Sequence, residues 1–465
     1  MTNNVVTTWN PATGERLAEH PAIGRDELNT ALDKAVAIQR EWRSTSLVER
    51  SVRLRSLGTL LRDEVEEHAR LISVEMGKPI TEARSEVLKC ALTCDYYAEH
   101  LAEFLTPTQV ATEASKSFIT YEPIGIVLAI MPWNFPYWQV VRFAAPTLAA
   151  GNGGLLKHAS NVTGTALALQ SLIERAGFPE GLFQTLVLAE HSLVNEIVAD
   201  PRVAAVTLTG SEKAGASVAE AAGRALKKTV LELGGSDPFV VLADADIEAV
   251  SPLAVRARFV NAGQSCLCAK RFIVDQQVIA AFEERVGALA SALIVGDPLD
   301  EATQIGPLAK KSFVDDIDSQ VRRSVEMGAR LVTGGHRLDR PGNYYAPTVL
   351  ADVTPDMPVF REETFGPVLA LVAAAGAENA IELADDSVYG LAASVWTEDM
   401  DSGIELGRGI ASGALFVNAI VVSDPRLPFG GVKLSGYGRE LSVEGLREFT
   451  NIRSIWATAM PRVPA

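Results

Sequence analysis

Apolar positions along this chain change their period several times, and each change marks a different kind of element. Residues 5–17 read as a short extended lead, after which a three-to-four-residue spacing predicts a mostly helical region to about residue 105. Within it, Ser46 and Glu49 form a capping-box pair ahead of a long amphipathic run ending near Met76-Gly77. Cys90 and Cys94 lie four apart in the helical stretch 80–102 and share an apolar face as small hydrophobes. Residues 108–123 alternate, with Phe118-Ile119-Thr120-Tyr121 reading as strand and Pro123 closing the segment.

From residue 124 to 243 short apolar runs alternate with helical stretches. Strands are expected at 124–130, 154–157, 182–188, 204–209, 230–233 and 239–242, and helices at 137–149, 164–176, 193–199 and 214–226. Short apolar strands joined by helices imply right-handed crossovers and a parallel, doubly wound sheet. Ligands of such sheets sit beyond the carboxyl ends of the strands, which directs attention to the loops there. A second α/β region follows over 235–434, with turn-rich joins at Gly334-Gly335 and Pro341-Gly342-Asn343, and residues 450–457 read as another exposed strand.

Composition narrows the function classes. The 465 residues suffice for about three domains with ample cores. Net charge is −16 and no basic run gathers on one face, so nucleic acid is excluded as a partner. Residues 1–9 lack the basic-then-apolar layout of a signal peptide. The longest apolar stretch, 124–141, is broken by Pro132, Asn134 and Pro136 and does not read as a membrane span. A cytoplasmic enzyme is expected. Four cysteines are too few for a disulfide framework, and the six histidines make no paired spacing with them, so no metal site is expected.

Four runs carry candidate chemistry. In Asn261-Ala262-Gly263-Gln264-Ser265-Cys266 a cysteine sits in a polar loop with backbone freedom around it; a free thiol near pKa ~8.5 needs local help to act as a nucleophile. In Leu231-Glu232-Leu233-Gly234-Gly235 a glutamate lies in an apolar strand before two glycines, where desolvation raises its pKa and suits it to general-base work. The alternative is an inward glutamate paired with an Arg or Lys. In Met131-Pro132-Trp133-Asn134-Phe135-Pro136 two prolines stiffen a loop around an asparagine, whose amide donates to an oxyanion without titrating. In Thr209-Gly210-Ser211-Glu212-Lys213-Ala214-Gly215 small residues let backbone amides approach a phosphate at a helix N-terminus. The usual three-glycine dinucleotide fingerprint is missing: after Gly151-Asn152-Gly153-Gly154 its third position is Leu156.

Together with Glu362-Glu363-Thr364-Phe365-Gly366-Pro367, and with Leu427-Pro428-Phe429-Gly430-Gly431-Val432-Lys433 running on to Ser435-Gly436-Tyr437-Gly438-Arg439-Glu440, these runs form the set that marks the aldehyde dehydrogenase superfamily. The resemblance spans essentially the whole chain, from Asn10-Pro11-Ala12-Thr13-Gly14 to the final strand. It implies the α/β aldehyde dehydrogenase fold: a doubly wound dinucleotide-binding domain (1–105 and 124–234), an α/β catalytic domain (235–434), a small β oligomerisation element (106–123 and 450–465), and a segment, 435–449, returning to the cofactor domain. By similarity Cys266 is the nucleophile, Asn134 and the Cys266 N–H hold the oxyanion, and Glu232 activates the water that hydrolyses a thioester. The cofactor contacts carried over are Trp133, Lys157, Ser160, Gly210, Ser211, Glu363 and Phe365. Ser160 stands where NAD-preferring members often have glutamate; a serine removes the repulsion of a 2′-phosphate, so NADP or NAD is expected, with NADP favoured.

Within the family the chain most resembles the members that oxidise succinate semialdehyde. Arg142, eight residues after Asn134, and Ser423 match their carboxylate-binding positions, and Phe429 is carried over as a further substrate contact. An arginine on an apolar helix is equally well held by an internal acid. One departure stands out: some members carry a second arginine six residues before the cysteine, where this chain has Val260, with Arg258 nearby on a different phase. Glutarate semialdehyde or an aliphatic aldehyde is the alternative substrate, and an inactive structural relative the alternative class; the latter requires loss of Cys266, Asn134 or Glu232, all of which are present. Acyl transfer to coenzyme A is disfavoured because such members generally lack the glutamate. The resemblance implies a homodimer or homotetramer. A disulfide between Cys266 and Cys268 is strained at that spacing.

Overall fold

A computed structural model describes residues 5–190 and 192–460. The extended lead is a hairpin of Val5–Trp9 and Arg16–Pro21. Four helices follow: Arg25–Trp42, Leu47–Asp63, Val65–Met76 and Ile80–Leu105. The Ser46 hydroxyl caps the second by accepting the Glu49 N–H at 3.1 Å. The amphipathic run expected to be continuous to Met76 is two helices. Glu64 leaves the helical region (φ −108°, ψ 20°), and its carboxylate accepts from Arg175 at 2.6 and 2.7 Å and contacts His68. Gly77 then ends the third helix with φ +84°, where an added Cβ would lie 2.7 Å from Pro307.

The first sheet runs, in spatial order, Gly436–Tyr437, Lys228–Glu232, Val203–Thr209, Ile126–Met131, Gly153–His158, Phe183–Thr185. All neighbours are parallel except the Gly436–Tyr437 edge. The chain winds outward from Ile126–Met131 in one direction, then returns to continue from Val203–Thr209 in the other. Its topological switch therefore lies between those two strands, whose carboxyl ends lead into Asn134 and into Gly210-Ser211. The strand expected over 182–188 narrows to Phe183–Thr185; Leu186 N makes a last bond to Leu156 O at 2.8 Å, and Val187 O then accepts from Ile23 N at 2.9 Å, outside the sheet. The apolar run at 239–242 pairs elsewhere: Asp237–Val241 lies inside a second sheet.

That sheet has seven strands, ordered Arg330–Thr333, Thr348–Ala351, Val368–Ala374, Ala269–Asp275, Asp237–Val241, Ala392–Trp396, Ala414–Val417. Only the Arg330–Thr333 edge is antiparallel. Phe239 lies between Phe272 and Trp396, ring centroids 5.0 and 4.9 Å away, at the heart of its core. A third, three-stranded sheet pairs Thr450–Ala457 with Lys116–Pro123 and Thr108–Gln109. Between the first and third sheets the helix Ser442–Glu448 packs back, and Asn152 Nδ2 donates to Phe449 O at 2.8 Å. No helix among the described residues is long and apolar enough to cross a membrane.

Candidate active site

The loop bearing Cys266 starts where helix Ile247–Phe259 ends, and it is built against the backbone's preferences. Asn261, Ala262 and Gly263 are all left-handed (φ +52°, +53° and +73°), a region an alanine enters only at a cost of about 1–3 kcal/mol. Hydrogen bonds from four directions hold it there. Asn261 N donates to Glu82 Oε2 at 2.7 Å, and Asn261 Nδ2 donates to Asn134 O at 2.8 Å. Ala309 N donates to Gln264 Oε1 at 2.9 Å. The buried Lys270 ammonium donates to the carbonyls of Ser265, Cys266 and Cys268 at 3.0, 2.9 and 3.3 Å. The Arg258 guanidinium, also buried, donates to Thr364 O at 2.8 Å and to Gly366 O, tying this loop to the one carrying Glu363 and Phe365.

Cys266 lies in the wall shared by two cavities, of about 980 and 510 Å³. Burial pushes its thiol up to about 12, while Lys270 and Arg142 pull the other way. All four cysteines are free, and Cys268 donates to Val260 O at 3.7 Å. Asn134 is buried in the smaller cavity's wall. One of its amide hydrogens goes to Gln264 O at 3.1 Å, and an amide nitrogen has a second to offer.

Glu232 ends the strand Lys228–Glu232 and is buried, as its apolar neighbours predict. Neither of its carboxylate oxygens has a hydrogen-bond partner among the described residues. Burial raises it well above the usual carboxylate range, and Glu440 adds to this against Arg142 and Arg439. It lines neither cavity and lies instead beside Gly430, where an added Cβ would be 2.8 Å from its Oε1.

The smaller cavity gathers most of the expected cofactor contacts: Trp133, Gly210, Ser211, Glu363 and Phe365. Lys157 and Ser160 lie outside its lining, Lys157 half-buried at the end of its strand and Ser160 exposed in the turn beyond. Burial lowers Lys157, and Lys310 beside it lowers it further. The Ser211 hydroxyl accepts the Ala214 N–H at 3.4 Å and caps helix Glu212–Arg224. Glu363 accepts from Gly235 N at 3.0 Å and lies 3.7 Å from Lys270. Phe313, which no motif marks, stacks on Trp133 at 4.9 Å while Phe365 meets that indole edge-on at 5.8 Å. Planar rings, backbone amides at a helix N-terminus and the Glu363 carboxylate, with Glu362 and Asp316 further along the wall, suit a nicotinamide dinucleotide.

The larger cavity receives Arg142 and Ser423; Phe429 is buried behind it, its ring 4.8 Å from the Arg142 guanidinium. Arg142 is held by an internal acid: its Nε pairs with Glu440, and Nη2 donates to Gln139 at 2.7 Å and Thr209 at 3.4 Å. Lys89, absent from the sequence reading, donates to Ser423 Oγ at 2.7 Å and lies 4.1 Å over the Trp138 ring. Its signal was a polar stripe, Glu82, Glu86 and Lys89, at helical spacing along one face of its helix.

The aldehyde dehydrogenase family model matches residues 1–455. A probable succinate-semialdehyde dehydrogenase [NADP(+)] of Synechocystis sp. is 49% identical over 97% of this chain and 99% of its own. The succinate semialdehyde dehydrogenase [NAD(P)+] Sad of Escherichia coli is 49% identical over 96% of both chains. The crystal structure of succinic semialdehyde dehydrogenase from Streptococcus pyogenes, in complex with NADP+, superposes with a TM-score of 0.95 at 38% identity, covering 98% of this chain and 100% of that one. With its two cavities meeting at one cysteine and this likeness along its length, the chain belongs to the aldehyde dehydrogenase family, oxidoreductases acting on aldehydes.

Proposed function

We propose that this protein oxidises succinate semialdehyde to succinate, with NADP+ preferred over NAD+, through a thioester on Cys266. One observation carries the reading: a single thiol stands where a cavity for an aldehyde and a cavity for a dinucleotide meet. The Cys266 sulfur, as thiolate, bonds to the aldehyde carbon from the larger cavity, and the former carbonyl oxygen becomes an oxyanion. The free Asn134 amide hydrogen and the Cys266 N–H hold that charge. Bound nicotinamide dinucleotide supplies the oxidising step by taking a hydride equivalent from that carbon. Glu232 then turns from its place beside Gly430 and removes a proton from water, which adds to the thioester and releases the acid and the thiol. The Arg142–Glu440 pair beside Glu232 supports this. Burial and the neighbouring Glu440 carboxylate raise the proton affinity of Glu232, so once ionised it is a strong base for the proton of that water.

Trp133 through its main chain, Gly210, Ser211, Glu363 and Phe365 hold the dinucleotide in the smaller cavity, with Lys157 and Ser160 at the far ribose. Ser160 brings no carboxylate there, and Lys310 lies close enough to Lys157 to depress it, so two cations favour a 2′-phosphate. Arg142 and Ser423, backed by Phe429, face the far end of the aldehyde. Residues 1–105 and 124–234 form the cofactor domain, 235–434 the catalytic domain, and 106–123 with 450–465 the contact between subunits of a cytoplasmic homodimer or homotetramer; of these, 1–4, 191 and 461–465 lie outside the described residues. The relatives named above support the substrate and cofactor by likeness.

Steady-state rates for succinate semialdehyde, glutarate semialdehyde and butanal, each with both cofactors, test this. The highest kcat/KM is expected for succinate semialdehyde with NADP+. Equal specificity constants for butanal overturn the substrate reading, and a preference for NAD+ overturns the cofactor reading.

A further inference from the structure

The larger cavity contains a cation that no acid around it is free to neutralise. Lys89 makes no ion pair among the described residues; its ammonium lies over the Trp138 ring and donates to Ser423 Oγ. Each acid near it is already taken. Glu86, on the same helix, pairs with Lys78 and accepts the Tyr137 and Trp138 N–H groups at 2.9 Å each. Asp424, on the loop beyond Ser423, accepts from Arg426 at 2.8 and 2.6 Å. The remaining charged neighbour, Arg142 on the facing helix, repels it, and the Cys90 thiol behind it is buried. Arg142 itself is matched by Glu440. The other cation of the lining, Arg256, is exposed and lies within electrostatic reach of Glu82, so the buried positive charge left unmatched in this cavity resides on Lys89, although Arg142 is the residue the sequence singles out.

We infer that Lys89 is the specificity-determining cation that receives the far carboxylate of a short ω-carboxylated aldehyde, with the Ser423 hydroxyl donating to the same group. Ser423 Oγ accepts from Lys89, so its own hydrogen is free to point at that carboxylate. Arg142 contributes N–H donors while its charge is matched by Glu440. This also accounts for Val260: where a second arginine is missing, a lysine from another helix supplies the charge. Burial holds the ammonium down to about 8, so the cavity is charged at neutral pH and loses that charge above it. The inference rests on the substrate reading above.

The variants Lys89→Met and Lys89→Arg, checked for fold by circular dichroism and for NADP+ binding by fluorescence, separate the possibilities. In Lys89→Met the ratio of kcat/KM for succinate semialdehyde to that for butanal is expected to fall about 10- to 100-fold, through KM, while Lys89→Arg keeps most of it. In the parent enzyme KM for the acid aldehyde rises above pH 8, and this rise moves upward in Lys89→Arg. An equal loss for both aldehydes, or no change in the ratio, overturns the inference. Inhibition of butanal oxidation by succinate reads the anion site whichever aldehyde is physiological: it weakens in Lys89→Met if Lys89 is the anchor and is unchanged if it is not. A parent enzyme that shows no preference for succinate semialdehyde but loses succinate inhibition in Lys89→Met refutes the substrate reading alone.

Discussion

A thiol raised to about 12 is protonated at neutral pH, so Cys266 gains nucleophilicity as pH rises and as cations approach it. Alkylation of the free enzyme by iodoacetamide should therefore quicken steadily from pH 7 to pH 10, with Cys266 the site modified; a plateau below pH 8 contradicts the burial argument. Asn134→Ala removes the side-chain donor from the oxyanion and should lower kcat by about 10²–10³. Its fold is spared because Asn261 bonds the main-chain oxygen of residue 134, which the substitution leaves in place. At this scale placement was legible: Glu232 is buried as its apolar neighbours imply, and Cys266 and Asn134 lie in cavity walls. What was not legible is charge pairing across the chain. Arg142 and Glu440 lie almost three hundred positions apart, Lys89 and Ser423 lie 334 apart, and only folding decides which arginine is neutralised and which lysine is left over.

Among the elements, Glu86 shows how the site is aimed. Its carboxylate caps helix Trp138–Ala149, which carries Gln139 and Arg142 into the cavity, and pairs with Lys78 where neither reaches solvent. Glu86→Ala leaves Lys78 buried without a partner and should cost about 3–5 kcal/mol, read as a lowered urea midpoint. Gly263→Ala puts a Cβ 2.2 Å from Gly366 O at a left-handed residue and should abolish the ordered Cys266 loop; unchanged activity and Tm contradict the account of that loop. Element boundaries followed the apolar period closely in the first sheet. They failed where tertiary contacts intervene: at Glu64, whose carboxylate is held by Arg175, and at Val187, whose carbonyl accepts from Ile23 rather than from a strand of the sheet.

For the molecule as a whole, the two parallel sheets place their functional loops around one sulfur, and the third sheet stands apart with an exposed face. On the strand Thr450–Ala457, Ile452 and Trp456 are 64% and 58% exposed, an apolar pair at alternate register on a long strand edge that a second subunit would cover. Ile452→Asp with Trp456→Asp should shift the protein to a smaller species in sedimentation velocity; an unchanged sedimentation coefficient places the subunit contact elsewhere. Fold class and the doubly wound order were legible from the alternation of elements. The assignment of the 239–242 run was not, because a short apolar strand does not say which of two sheets it joins.

The thioester on Cys266 is tested most directly by trapping it. Glu232→Gln enzyme mixed rapidly with NADP+ and its preferred aldehyde should release one NADPH per active site in a burst, then nearly stop, and peptide mass spectrometry should find the acyl group on Cys266. Steady turnover without a burst, or an acyl group on any other residue, contradicts the account.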